Sequence, residues 1–95
     1  MGKPAMGSMT LPDELDIKAA GPLAAELIAA RGKDLTLDAS QVERVGGQCL
    51  QVLLSAAATW GADGAELTIE EPSAAFADAI RIAGLDLTQF TARSA

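Results

Sequence analysis

The stretch from Val45 to Ala62, VGGQCLQVLLSAAATWGA, carries no charged side chain and follows closely on a strand-like run, LTLDAS, at Leu35 to Ser40. Surface helices rely on Lys, Glu and Arg to keep their outer face solvated, so an uncharged run of helical length needs cover on more than one side. Its buried stripe reads Leu50, Leu53, Leu54 and Ala57, with Trp60 near the end, which turns Gln48, Gln51, Ser55 and Thr59 outward. That outer face is polar enough to stay in water and neutral enough to desolvate cheaply, as a docking surface must. The alternative is that the remainder of the same domain covers it.

Around this helix the pattern alternates. Ile17, Ala20, Ala24, Leu27, Ile28 and Arg31 fall on successive turns of one helix face within Asp16 to Arg31. Asp16 is placed to cap that helix and Gly32 to end it, while Pro22 favours a start at Pro22 itself, because proline is tolerated in a first turn and not in the interior. Before it, Thr10-Leu11-Pro12 allows only a short edge strand. Lys33 to Ala39 alternates Leu35, Leu37 and Ala39 with polar residues and reads as an inner strand, and ELTIE at Glu66 to Glu70 as another. Pro72-Ser73 opens a third helix with Phe76, Ala79, Ile80 and Ala83 as its stripe and Gly84 at its end. The tail adds a strand at Leu87 to Phe90. Strands separated by helices require crossover connections, hence an α/β domain with a mixed, mostly parallel sheet and helices packed on one face.

A chain of 95 residues has room for one such domain. It is 49% hydrophobic but only 3% aromatic, so the core is built from Ala, Leu, Ile and Val. A net charge of −6, with only seven scattered Lys and Arg, excludes nucleic acid and anionic membrane surfaces as partners. The uncharged run approaches the length of a membrane span, yet its Gln, Ser, Thr and Gly content excludes insertion. MGKPAMGSM does not read as a signal peptide; residues 1–8 read as a tag or disordered N-terminus, with the domain at 9–95.

Candidate chemistry is sparse. Cys49 is the one strong nucleophile, but with no histidine in the chain and no nearby Lys it has no activating partner and reads as a structural thiol. A lone cysteine fits a reducing cytoplasm, and no metal or cofactor is implied. Asp13-Glu14 and Glu70-Glu71 read as solvated turns. Gly46-Gly47 at a helix start offers free backbone N–H groups, but lacks the wider pattern of a nucleotide-binding loop and reads as a tight turn. Glu43 and Arg44, in the loop beside the neutral helix face, are either charged contacts at the rim of a docking surface or an exposed loop pair.

The succession LTLDASQVERVGGQCLQVLL, a strand ending in Asp-x-Ser followed by a loop and a leucine-led helix, resembles the STAS domain of bacterial anti-sigma factor antagonists. ELTIEEPSAAFADAIRIAGLD is similar to the next strand of that domain, its Pro-Ser helix start and its closing Gly-Leu. The resemblance covers Leu35 to Asp86. It implies a non-enzymatic signalling protein that binds a regulatory partner, such as an anti-sigma-type kinase or a chemotaxis or stress-signalling component. Partner-binding residues would be Glu43, Arg44, Gly46, Gly47, Gln48, Gln51 and Ser55.

In the family a Ser or Thr in the loop before the second helix is phosphorylated, and Gly47 stands at the matching position without a hydroxyl. Ser40 and Ser55 are the available substitutes. An alternative from the same family is the STAS subunit of a lipid-transporting ABC complex, docked on its ATPase. The N-terminal region is shorter than the family pattern, so one strand is either absent or supplied by the tag-like residues. The sheet edge left by such a loss can pair with another copy to give a homodimer.

Overall fold

The computed structural model describes residues 6–92. Three parallel strands form the main sheet in the order β1 (Met6–Thr10), β3 (Asp34–Asp38), β5 (Leu67–Glu70), with Leu35 opposite Gly7 on one side and Leu67 on the other. Helix α1 (Ile17–Ala29) connects the first pair of strands and α2 (Gly47–Asp63) the second. Leu35, Leu37 and Ala39 alternate onto one face, where Leu23 and Leu27 of α1, Leu53 and Trp60 of α2, and Leu67 join them in one buried cluster. Thr36 and Thr68 stand side by side on the opposite face, their hydroxyls 3.2 Å apart. Helix α3 (Ala74–Ile82) buries Phe76 and Ile80, and Phe76 meets Phe90 edge to face with ring centroids 6.4 Å apart.

The single α/β domain with a mostly parallel sheet agrees with the sequence reading, and five local features depart from it. Helix α1 starts at Ile17, directly after its Asp16 cap, and runs through Pro22. Pro22 is solvent-exposed, so the Lys18 carbonyl that loses its helical donor can turn to water. The helix stops at Ala29, before Gly32, which lies in the following turn at φ 91°. The buried face of α1 is carried by Leu23 and Leu27, while Ile17 and Ile28 stand 66% and 71% exposed.

Leu87–Phe90 forms a 3-10 helix rather than a strand. The Asp86 backbone N–H donates to the Gln89 side chain at 2.7 Å, closing a capping box that competes with strand pairing. The tail instead contributes one antiparallel bridge, Ala92 to Leu67. The edge strand is longer than Thr10-Leu11-Pro12 suggests, since β1 takes in Met6, Gly7 and Ser8. Of the tag-like stretch 1–8, the first five residues lie outside the described residues.

Candidate functional site

The loops after β1, β3 and β5 gather at one end of the sheet, together with the N-termini of all three α-helices. Two of these loops are laced together by a two-residue parallel ladder that the hydrophobic pattern does not reveal, β2 (Glu14–Leu15) with β4 (Arg44–Val45). The Asp13 carbonyl accepts from the N–H groups of Glu43 at 2.6 Å and Arg44 at 3.1 Å. One step on, the Leu15 carbonyl accepts from Gly46 N–H at 2.7 Å. From the other flank, Ser73 caps α3 by accepting from Phe76 N–H, and its hydroxyl donates to the Val42 carbonyl at 2.6 Å.

Each candidate residue can be placed on this frame. Glu43 and Arg44 are exposed on the laced loop. Gly46 is the cap of α2, and a Cβ there would lie 3.4 Å from the Leu15 carbonyl, an ordinary contact distance. Gly47 is the first residue of α2, exposed, with open space where a side chain would project. Gln48, Gln51 and Ser55 are exposed and form a charge-free row running away from the loop, whereas Thr59 is half-buried. The row therefore faces outward as the helix phase requires, and no described element covers it.

The possible hydroxyl substitutes differ in setting. Ser40 is exposed at the end of β3, and its backbone N–H donates to the Asp38 carboxylate at 2.9 Å. That bond holds the Asp38 pKa below the ordinary carboxylate value. Ser55 lies two turns along α2. Cys49 is fully buried, and its thiol donates to the Asp16 carbonyl at 3.3 Å. Burial, and secondarily the Asp16 charge, push its pKa up, the opposite of what a nucleophilic thiolate needs. Among the described residues no cluster of three or more His, Cys, Asp or Glu is placed to hold a metal ion, and no helix is long and apolar enough to cross a membrane.

Beside the neutral row runs a groove of about 480 Å³ between α1 and α2, lined by Ala24, Ile28, Val52, Ser55, Ala56 and Trp60, among others. Of the six residues read from the sequence as one helix face, Leu27 enters the core and Ala20 packs half-buried against it, whereas Ala24, Ile28 and Arg31 border this groove and Ile17 stands exposed at the start of the helix. Arg31 closes one end of the groove, where its guanidinium grips the Asp63 carboxylate through two bonds of 2.8 and 3.2 Å. The pair raises the Arg31 pKa and lowers that of Asp63. Neither Ile28 nor Asp13 had been singled out as functional. The exposed isoleucine is legible only once the α1 phase is known, and Asp13 acts through its backbone, which no side-chain pattern reports.

The fold agrees with a comparison against protein families: the model described as "Mlab, STAS domain" matches residues 3–89. No curated protein and no solved structure matches the chain.

Proposed function

The chain belongs to the STAS domain family, and on that footing we propose that it docks a regulatory protein partner through the loop Glu43 to Gln48 and the exposed row Gln51 and Ser55 of α2. STAS domains in general bind proteins and do not catalyse reactions. The observation that carries the reading is the charge-free outer row of α2 beside a loop fixed on both flanks. Its neutral groups lose little on desolvation, while Glu43 and Arg44 at the rim supply charged discrimination between partners. The partner in this reading is an anti-sigma-type kinase or a chemotaxis or stress-signalling component, bound in the cytoplasm. With Gly47 at the acceptor position, binding is not switched by phosphate there. Ser40, exposed on the same end of the domain, is the better placed substitute, because Ser55 lies within the docking row.

A second reading, a STAS subunit seated on the ATPase of a lipid-transporting ABC complex, is favoured by the description of the matching family model, which names Mlab. It uses the same surface. Affinity capture from a lysate of the native cell at low salt, with the bound proteins identified by mass, separates the two. A histidine-kinase-like ATPase or chemotaxis component supports the first reading, and an ABC ATPase with its membrane subunit the second. Gln51→Glu and Ser55→Glu should each abolish most of the capture while changing stability by no more than about 0.5 kcal/mol, as exposed substitutions do. Undiminished capture by both variants, with Ala77→Glu on α3 as the remote control, would move the interface elsewhere.

A further inference from the structure

We propose that the α1–α2 face is an isologous interface between two copies of this chain. Three observations carry it. The first is charge. At a net charge of −6 two copies repel each other at long range, so a self-contact is opposed least across a face that presents no unpaired charge. The α1–α2 face is such a surface: Ile17, Ala24 and Ile28 on one helix and Gln51, Val52 and Ser55 on the other are uncharged. The charges at its border, Arg31 and Asp63, neutralise each other at 2.8 Å. Lys18 and Glu26 project from other sides of α1, away from the row at Ile17, Ala24 and Ile28.

The second observation is shape. Ile28, at 71% exposure, is a knob standing at the lip of a hollow whose walls include the small side chains Ala24, Ser55 and Ala56. Knob and hollow lie on the same face, which is what a two-fold contact requires, since residue and recipient site must both be present on each copy. The third is the neighbouring Ile17 at 66% exposure on the same helix row, which extends the apolar strip beyond the groove.

This self-contact is distinct from pairing at the free edge of β1. It covers Gln51 and Ser55, so under the docking reading above two copies and the partner compete for one surface. That consequence rests on the docking reading; the self-contact itself does not.

Sedimentation equilibrium on the purified chain tests it, from about 1 µM to about 1 mM, a range that spans weak interfaces. The average mass should climb from 9.7 kDa toward twice that value. Ile28→Glu and Ser55→Glu should each hold the mass at the monomer value, with unchanged far-ultraviolet dichroism. Ile82→Glu, at a 78% exposed isoleucine on α3, should dimerise as the parent does. A parent that stays monomeric throughout overturns the proposal. So does a dimer that survives both α1–α2 variants, which would locate the contact at another surface such as the β1 edge. No partner enters this assay, so failure of the docking reading leaves its result intact.

Discussion

Placing a carboxylate at the first residue of α2, as Gly47→Asp, should stabilise the fold and weaken docking at the same time. The N-terminus of α2 has no side-chain cap and no acidic residue in its first turn. Gly47 is exposed, its φ lies outside the left-handed region, and nothing stands within 4 Å of the position a Cβ would take. Replacing glycine in a helical turn recovers a few tenths of a kcal/mol for Asp and about 0.5–1 kcal/mol for Ala. A negative charge at an exposed helix start adds about 0.3–1 kcal/mol more at low ionic strength. The sum is about 1 kcal/mol, or a rise of roughly 4–8 °C in Tm for a domain of this size.

Urea unfolding of Gly47→Asp and Gly47→Ala at low and high salt separates the two terms. The gain in the alanine variant should be independent of salt, whereas the charge-dependent part of the aspartate gain should fade as salt screens it. Partner capture should fall for Asp and stay near the parent for Ala. A Gly47→Asp protein less stable than the parent at low salt would refute the reasoning about the open helix start, and undiminished capture would refute the placement of the docking surface.

Leu53→Ala, at a residue 1% exposed within the buried stripe of α2, should cost about 2–5 kcal/mol in urea unfolding. A variant that melts with the parent would mean that the stripe is not packed as described. Cys49 should resist labelling by a thiol reagent at neutral pH under native conditions and react only on unfolding, because it is buried and its pKa is raised. Rapid labelling of the native chain would restore a catalytic thiol to consideration. Asp38 and Asp63 have folded-state pKa values below their ordinary value of 3.8. Their contribution is therefore present above that value and is lost as pH falls through the depressed folded values. Asp38→Asn should make the acid limb of a stability–pH curve shallower than the parent's, and an unchanged limb would remove the Ser40 bond as its source.

What the sequence made legible follows from what its side chains report. The inner strand at Leu35 to Ala39 and the stripe of α2 at Leu50, Leu53, Ala57 and Trp60 were readable because apolar spacing there agrees with a single burial direction; Leu54, read as part of that stripe, is only half-buried at its edge. In α1 it does not: Ala20, Ala24, Ile28 and Leu23, Leu27 give two overlapping apolar rows, and only packing decides that Leu23 and Leu27 go inside. The run through Pro22 was hidden because a proline penalty is largest where the freed carbonyl is buried, and here the site faces water. The tail failed for a related reason. Leu87 to Phe90 has strand-like composition, but Asp86 and Gln89 close a local capping box that holds a helical turn. The β2–β4 ladder was invisible because backbone groups make it, at Asp13, Leu15, Glu43, Arg44 and Gly46.

Under the proposed docking, that ladder constrains how binding at this surface can be regulated. Val42 is tied to α3 through Ser73, while Glu43, Arg44 and Gly46 are tied to the loop that leads into α1. A loop held from both flanks has little conformational freedom left to lose when a partner arrives, so binding is not taxed by ordering it. By the same argument, the loop offers no folding step for a signal to control. A switch at this surface must act by adding charge to it or by covering it. With no hydroxyl at Gly47, the first route needs a residue such as Ser40 on the same end of the domain. The second route requires only another copy of the chain on the α1–α2 face. The two are distinguishable in one titration: a cover of second copies makes partner binding depend on the concentration of this chain, and a charge-based switch does not.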